Sequence, residues 1–108
     1  MILVTGATGR LGEQVVRSLR RMGHPVRALV RKGSTYFWLN DTGCAYFFGD
    51  LKDARALERA LNGVERLVIC SGIRVENRLD NHTSVTVDGH QKLLAASRAR
   101  HVQKVVLV

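Results

Sequence analysis

Residues 5–12 read Thr5-Gly6-Ala7-Thr8-Gly9-Arg10-Leu11-Gly12, and they separate an apolar run at positions 1–4 from a helical pattern. This order predicts a buried strand, a glycine turn and a helix. A turn of this kind lets a backbone without side chains approach a diphosphate at a helix N-terminus, where free N–H groups and the helix dipole attract negative charge. The segment therefore predicts a site for the pyrophosphate of a dinucleotide.

Each of the three glycines has its own predicted role. Gly6 takes the tight turn, Gly9 lets the backbone approach the phosphates, and Gly12 allows the helix to cross the strand closely. The spacing differs by one residue from Gly-x-Gly-x-x-Gly, so the alternative is an ordinary turn that needs glycine only for positive φ. Arg10 either reaches the additional 2′-phosphate that distinguishes NADP from NAD or is a surface residue. The predicted loop comprises Gly6, Thr8, Gly9, Arg10, Leu11 and Gly12.

The helix that follows the loop is amphipathic. Its predicted apolar stripe consists of Leu11, Val15, Val16, Leu19 and Met22. Gly23 is a typical helix stop, and Pro25 prevents continuation. Arg20 and Arg21 suit the negative end of the helix dipole, which predicts a structural role for both.

The second strand, residues 26–30, is followed by Arg31 and Lys32 where an acidic residue would bind the ribose 2′-hydroxyl of NAD. Guanidinium and ammonium groups instead bind phosphate. The pair therefore favours NADP over NAD as the cofactor. The alternative is that both side chains are solvated loop residues.

The remaining sequence continues the alternation of strands and helices. Strands are predicted at residues 44–48, 66–70 and 105–108, and helices at residues 53–62 and 83–101. Asp53 is the predicted N-cap of the first of these helices, and Gly63 its stop.

This alternation predicts an α/β fold with a doubly wound parallel sheet of strand order 3-2-1-4-5. Ligands of such sheets bind at the carboxyl ends of the strands, where the order reverses. Ser71 and Gly72 follow the fourth strand and are expected beside Gly6 and Gly9.

Four segments together resemble the atypical short-chain dehydrogenase/reductases, and particularly the NmrA-like group. They are residues 5–12, Val30-Arg31-Lys32, Gly49-Asp50-Leu51, and Val87-Asp88-Gly89 ahead of Leu93-Leu94-Ala95-Ala96. The resemblance implies a Rossmann-type NAD(P)-binding domain. It also implies that Asp50 and Leu51 pass the adenine ring, with Asp50 bonding the amino group. The alternative for Asp50 is a turn before the helix.

The resemblance leaves two functions open. The first is an NADP-dependent reductase of a small carbonyl or unsaturated substrate. Active relatives commonly carry a Tyr-x-x-x-Lys pair beyond the fifth strand, and within this chain neither tyrosine fits the pattern, since Tyr36 precedes Asn40 and Tyr46 precedes Asp50 by four residues. The second is a non-catalytic protein that senses dinucleotides or assists assembly.

Residues 1–108 are expected to be one domain, the amino-terminal portion of a longer protein, with the sheet incomplete at its carboxyl side. The strand at residues 105–108 then lies at an apolar edge. We expect it to be covered by further sequence or by a second copy of the chain, which makes self-association or a protein partner an expectation.

The chain has 17 Lys and Arg against 9 Asp and Glu, a net charge of +8. The cations are scattered and no nucleic-acid motif accompanies them, so a solvated surface is favoured over nucleic-acid binding. An anionic partner stays the alternative, because positive potential raises association rates. There is no run of about twenty apolar residues and no targeting signature, which predicts a cytoplasmic or stromal protein without a transmembrane segment.

The cysteine, histidine and aromatic residues are predicted to have structural or surface positions. Cys44 and Cys70 lie on strands expected three spacings apart, so both are predicted to be reduced core residues. The four histidines are too dispersed to form a metal site. The aromatic segment at residues 36–39 is predicted to pack onto the sheet beside Phe47 or Phe48. The alternative is an exposed patch for a protein or a membrane.

Overall fold

Five short strands form one parallel sheet in the computed structural model of the chain, which describes residues 1–50, 53–70, 95–96, 98 and 102–107. The strands are β1 (Ile2–Thr5), β2 (Val26–Val30), β3 (Ala45–Phe48), β4 (Arg66–Ile69) and β5 (Lys104–Leu107). Their order is β3-β2-β1-β4-β5, and every neighbouring pair is parallel. The predicted fold class and strand order are confirmed.

Two α-helices connect these strands as the capping residues predict. Helix α1 (Arg10–Arg21) follows Gly9 and ends before Gly23, whose φ is 86°. Helix α2 (Ala54–Ala60) begins after Asp53, whose carboxylate accepts hydrogen bonds from the backbone N–H groups of Arg55 and Ala56 at 3.0 and 3.2 Å. The predicted cap at Asp53 is therefore confirmed.

The core has two halves, one on each face of the sheet, because successive residues of a strand point to opposite sides. On β1, Leu3 belongs to the half covered by α2, whereas Ile2 and Val4 belong to the half covered by α1. All four residues of β1 are buried. Neither face of the central strand is therefore exposed to solvent, and the glycine loop that follows this strand lies at the middle of the sheet.

The apolar stripe of α1 is only partly buried. Val16 is fully buried and Val15 and Leu19 are half-buried, but Leu11 is 47% exposed and Met22 69% exposed. The prediction that Leu11 and Met22 belong to the buried stripe is wrong. Leu11 lies in the first turn and Met22 is the C-cap, so both extend beyond the part of the helix that packs on the sheet.

Arg17 joins α1 to a 3₁₀ helix (Phe37–Thr42) that follows β2. Its guanidinium donates to the carboxylates of Glu13 and Asp41 at 3.0 and 2.8 Å, and to the carbonyl oxygen of Trp38 at 2.6 Å. Five donors in a fixed fork allow one side chain to hold three acceptors at once. Arg17 therefore holds the segment after β2 against α1 through hydrogen bonds.

Arg20 makes a second connection of the same kind. It donates to the carbonyl oxygens of Thr42 and His24 at 2.9 and 3.0 Å. The structural role predicted for Arg20 is confirmed, with specific carbonyl groups as its partners. Arg21 is exposed.

The aromatic segment packs against the edge of the sheet, as predicted. The ring of Tyr36 lies 4.8 Å from that of Tyr46 and 5.3 Å from that of Phe48, measured between centroids. Leu39 is fully buried, whereas Phe37 is 69% exposed. Packing thus accounts for most of the segment, and Phe37 is its solvated member.

The described cysteines are free thiols, as predicted. Cys44 precedes β3 and Cys70 follows β4, so β2 and β1 separate them. At the far end of the described sheet, Val105 and Val106 of β5 are 37% and 39% exposed. What covers this edge stays a prediction.

Several predicted features lie outside the described residues. These are Leu51, Ser71, Gly72, His82, His90, His101, the motif at residues 87–89 and most of the helix predicted at 83–101. Residues 95, 96 and 98 are helical, and Ala96 is buried. No helix in the described part of the chain combines the length and apolarity needed to cross a bilayer.

Candidate dinucleotide site

The described residues among those predicted to bind the cofactor lie at the carboxyl edge of the sheet, where backbone hydrogen bonds continue past the strand ends. The N–H of Gly49 donates to the carbonyl oxygen of Val30 at 3.0 Å, which holds the end of β3 beside the end of β2. The N–H of Cys70 donates to the carbonyl oxygen of Thr5 at 3.1 Å, which holds the end of β4 beside the glycine loop. The carboxyl ends of β1, β2, β3 and β4 therefore lie along one edge of the sheet.

Two of the glycines are required by the fold of the loop itself. Gly6 has φ 69°, in the left-handed region that favours glycine, so its predicted role in the tight turn is confirmed. A Cβ on Gly12 would lie 1.9 Å from the carbonyl oxygen of Gly6 and 2.7 Å from the Cα of Ala7. The predicted close approach at Gly12 is confirmed, and its partner is the loop that leaves β1.

Gly9 is different, because the protein's own packing does not require a glycine there. Its φ of −79° and ψ of 171° are open to any residue, and a Cβ would make only an ordinary 3.5 Å contact with the carbonyl oxygen of Gly6. Its N–H donates to that same oxygen at 3.1 Å, which closes the turn. Gly9 is exposed, so a side chain at this position would project outward from the loop.

The first turn of α1, at the carboxyl edge of the sheet, also provides backbone N–H donors. Gly9 is the N-cap and provides no side-chain acceptor. Within the described part of the chain, no backbone acceptor engages the N–H groups of Arg10, Leu11 and Gly12. The carboxylate of Glu13 is bonded to Arg17, so the acidic group of this turn is already paired. Such a turn attracts an anion.

The side chains of the loop have distinct positions. Thr8 is half-buried within the turn, whereas Arg10 and Leu11 are exposed on the first turn of α1. The structure thus brings all six predicted loop residues together at the carboxyl end of β1. Their contacts with a ligand stay a prediction.

A cavity of about 310 Å³ lies beside the ends of β2 and β3. Three of the residues that line it, Arg31, Lys32 and Asp50, were predicted to bind the cofactor, and all three are exposed. Asp50 also begins a turn, since its carbonyl oxygen accepts a hydrogen bond from the N–H of Asp53 at 3.0 Å. The complete lining is Arg31, Lys32, Phe48, Gly49, Asp50, Asp53, Ala56 and Arg59.

Gly49 allows this cavity to form next to α2. A Cβ on Gly49 would lie 3.2 Å from the Cβ of Ala56 and 3.3 Å from the Phe47 ring, both tight contacts. The absence of a side chain thus lets the first turns of α2 approach the end of β3. Gly49 is buried, in keeping with this close packing.

Five lining residues were not predicted to bind the cofactor: Phe48, Gly49, Asp53, Ala56 and Arg59. Of these, Phe48 and Arg59 have large, exposed side chains. Phe48 is 44% exposed. Residues two apart on a strand lie on the same face, so the spacing of Tyr46 and Phe48 on β3 could have predicted which way the Phe48 side chain points. Arg59 had no such signal, because its distance from Arg31 depends on how α2 packs on the sheet.

Cys70 lies at the end of β4, where its N–H is bonded to the carbonyl oxygen of Thr5. Burial raises the pKa of the Cys70 thiol, which keeps the thiol protonated at the end of β4. No group of three or more potential metal ligands occurs among the described residues. The local chemistry of the described loops is therefore that of backbone amides, cations and carboxylates.

A family model described as NAD(P)H-binding matches residues 6–108. Sterol demethylase protein B of Methylococcus capsulatus is 39% identical over 107 residues, which are 96% of this chain and 32% of that protein. Photosystem II assembly factor Ycf39 of Cyanophora paradoxa is 34% identical over 105 residues, 97% of this chain and 32% of that protein. The chain thus spans about a third of the length of these curated relatives.

Solved structures support the same assignment. NADPH-dependent quinone oxidoreductase QOR2 of Escherichia coli, complexed with NADPH, matches with a TM-score of 0.76 and 30% identity, over 99% of this chain and 36% of that one. Triphenylmethane reductase of Citrobacter sp., complexed with NADP(H), matches with a TM-score of 0.76 and 28% identity, over 100% of this chain and 37% of that one.

A third structure carries the other dinucleotide. It is a short-chain dehydrogenase/reductase superfamily protein of Agrobacterium tumefaciens with bound NAD, with a TM-score of 0.77 and 34% identity, over 99% of this chain and 31% of that one. The resemblance drawn from the motifs is confirmed. The chain belongs to the NAD(P)H-binding family, among the atypical short-chain dehydrogenase/reductases of the NmrA-like type.

Proposed function

We propose that this chain binds NADP(H), with the pyrophosphate over the loop at residues 6–12. The observation that carries this proposal is Gly9, which is a glycine although neither its backbone angles nor its neighbours in the protein demand one. A diphosphate lying on the loop explains the missing side chain, because it needs the space that a Cβ and its substituents would take. The amides of Arg10, Leu11 and Gly12 are the donors for its oxygens.

The 2′-phosphate of the adenosine binds to Arg31 and Lys32. Both cations line the cavity at the end of β2, where an acidic residue would serve NAD. A guanidinium provides a planar pair of N–H donors for two phosphate oxygens, and an ammonium adds a point charge. The quinone oxidoreductase and triphenylmethane reductase neighbours, both solved with NADP(H), support this choice.

The adenine ring lies along Asp50 and Leu51, with the Asp50 carboxylate accepting from the amino group. Asp50 lines the same cavity as Arg31, which suits one adenosine bound by both. Thr8 and Leu11 contribute to the surface around the pyrophosphate. Ser71 and Gly72, which follow β4 in the sequence, complete the site toward the nicotinamide.

The protein of which this domain forms the binding part acts as a reductase of a small carbonyl or unsaturated compound. The nicotinamide supplies the hydride, and the protein supplies binding and orientation. Support comes from relatives whose names state reduction, among them the ceramide reductase of Caulobacter vibrioides at 33% identity.

A second function has its own support, that of a dinucleotide-binding protein without catalysis that assists assembly of a partner. Assembly factor Ycf39 is 34% identical, a value close to that of the reductases. In this case the exposed valines of β5 are the proposed contact surface for a protein or a second copy.

Calorimetric titration of the chain with NADPH and with NADH tests the cofactor assignment. We expect tighter binding of NADPH, and we expect Arg31→Ala to weaken NADPH binding about tenfold, the equivalent of one hydrogen bond between charged groups. NADH binding is expected to change little. Arg21→Ala is the matched control, because it removes an exposed arginine from the far end of α1.

Equal affinities for the two dinucleotides in the unmodified chain would overturn the choice of NADP. Absence of binding by both would overturn the site itself. The two functional classes are separated with the full-length protein, by adding NADPH with quinones, azo dyes and aldehydes and following the nicotinamide absorbance. Oxidation that depends on one of these compounds supports the reductase, and binding without oxidation supports the assembly protein.

A further inference from the structure

We infer that Arg59 is a third cation of the 2′-phosphate site and a determinant of the preference for NADPH over NADH. This inference rests on the proposed function, since it concerns the same end of the dinucleotide. Arg59 lies in the last turn of α2, remote in sequence from the loop that carries Arg31 and Lys32. All three side chains nevertheless line one cavity of about 310 Å³.

The fold brings Arg59 to this cavity through the packing of α2 on the sheet. The close contact between Gly49 and Ala56 sets the first turns of α2 against the end of β3. Helical side chains lean toward the N-terminus of their helix, so a long side chain at position 59 reaches back over Ala56. Ala56 and Arg59 both line the cavity, in agreement with this direction.

The charges of the cavity supply the reason for a third cation. A phosphate monoester carries a charge of about −1.5 to −2 near neutral pH. The cavity is lined by the cations Arg31 and Lys32, which attract a phosphate, and also by the carboxylates of Asp50 and Asp53, which repel a phosphate. Arg59 lines the same cavity as Asp53, and its positive charge offsets this repulsion.

The Asp53 carboxylate and the Arg59 guanidinium differ in their hydrogen bonds within the protein. The Asp53 carboxylate accepts from two backbone N–H groups at the start of α2. Within the described residues, no hydrogen bond or ion pair engages the Arg59 guanidinium, which is exposed. Its donors are therefore available to a ligand in the cavity.

A structural explanation for Arg59 also exists, because a cation in the last turn of a helix interacts favourably with the helix dipole. The two explanations predict different measurements. A dipole role affects thermal unfolding and leaves the two dinucleotides equally affected. A phosphate role changes the ratio of NADPH affinity to NADH affinity.

The test is titration of the unmodified chain, Arg59→Gln, Arg59→Lys and Arg55→Gln with NADPH, NADH and adenosine 2′,5′-bisphosphate. Arg55→Gln is the matched control, because it removes the same charge one turn earlier on α2, outside the cavity lining. We expect Arg59→Gln to weaken NADPH and the bisphosphate about fivefold, the upper range for an exposed ion pair. We expect NADH to stay within about twofold and Arg59→Lys to retain most of the affinity.

The outcomes distinguish this inference from the proposed function. If Arg31→Ala weakens NADPH binding and Arg59→Gln does not, the inference is wrong and the proposed site stands. A similar loss for NADPH and NADH in Arg59→Gln, or a loss in Arg55→Gln equal to that in Arg59→Gln, also overturns it. If the unmodified chain does not discriminate between the dinucleotides, the proposed choice of NADP fails first.

Discussion

The carbonyl oxygen of Gly6 occupies the place where a side chain at Gly12 would begin, since a Cβ on Gly12 would lie 1.9 Å from it. The same oxygen accepts the N–H of Gly9 at 3.1 Å. One carbonyl group therefore closes the turn and also receives the first turn of α1. This arrangement fixes where the helix N-terminus points, and so where an anion can bind.

Gly12→Ala is expected to destabilise the chain by about 1–3 kcal/mol. Alanine usually stabilises a helix interior by about 0.5–1 kcal/mol relative to glycine, but here the new methyl group forces the backbone of the loop to move. Urea unfolding followed by circular dichroism measures the difference. An unchanged or higher unfolding free energy would show that the loop can shift without cost.

Gly9→Ser is expected to separate binding from stability. Serine is a good N-cap residue, and its hydroxyl can accept from the N–H groups of Leu11 or Gly12, so the fold keeps its stability or gains a few tenths of a kcal/mol, by about the usual N-cap difference. The same hydroxyl competes with the pyrophosphate for those donors. We expect NADPH affinity to fall about tenfold by calorimetry, as for one lost hydrogen bond to a charged group.

Gly9→Ala is the companion variant for this experiment, because it adds a Cβ without a hydroxyl. A smaller loss of affinity in Gly9→Ala than in Gly9→Ser indicates competition for the amides as well as crowding. NADPH binding as tight as in the unmodified chain in both variants would rule out a pyrophosphate on this loop.

Asp41→Asn is expected to lower the midpoint of thermal unfolding at neutral pH. The hydrogen bond from Arg17 holds the pKa of the Asp41 carboxyl below its ordinary range, so the folded state favours the charged form. The stabilisation is complete above the unfolded-state pKa of about 3.9 and is lost as the pH falls through the depressed pKa. The difference between Asp41→Asn and the unmodified chain should therefore shrink in strong acid.

Glu58→Gln is the control for this pH series, because Glu58 is exposed on α2 and forms no ion pair within the described residues. Its midpoint should follow that of the unmodified chain. A difference for Asp41→Asn that stays constant down to strong acid would mean that its carboxylate charge contributes nothing. Since the pair is exposed, added salt should also reduce the effect.

Alkylation of Cys70 by iodoacetamide is expected to be slower in the folded chain than in urea at the same pH. Burial raises the pKa of this thiol, so the reactive thiolate is less populated in the folded state. The rate should rise with pH and reach its midpoint at a higher pH than in the unfolded chain. Peptide mass spectrometry distinguishes Cys70 from the buried Cys44.

The same shift has a consequence for stability. A thiol that stays protonated in the folded state contributes stability below the unfolded-state pKa, and that contribution is lost as the pH rises through the folded pKa. Unfolding free energy should therefore fall in alkaline solution, and less so in Cys70→Ala. An alkylation midpoint equal to that in urea would contradict the raised pKa.

Local sequence patterns were sufficient for the fold. The apolar runs, the stops at Gly23 and Gly63 and the cap at Asp53 predicted the described strands and helices within about two residues. The strand order followed from right-handed crossovers and the glycine turn after β1. These features depend on neighbours along the chain, so periodicity and turn chemistry express them directly.

Contacts between distant segments required the tertiary structure. The bonds of Arg17 to Asp41 and to Trp38, the exposure of Leu11 and the presence of Arg59 in the cavity of Arg31 depend on where helices lie against the sheet. A residue's helical face can be read from its spacing, but the angle and extent of packing set which side chains meet. The sequence alone therefore determined the sheet and the glycine loop, and only the tertiary structure decided which charges share a cavity, because those charges come from separate elements.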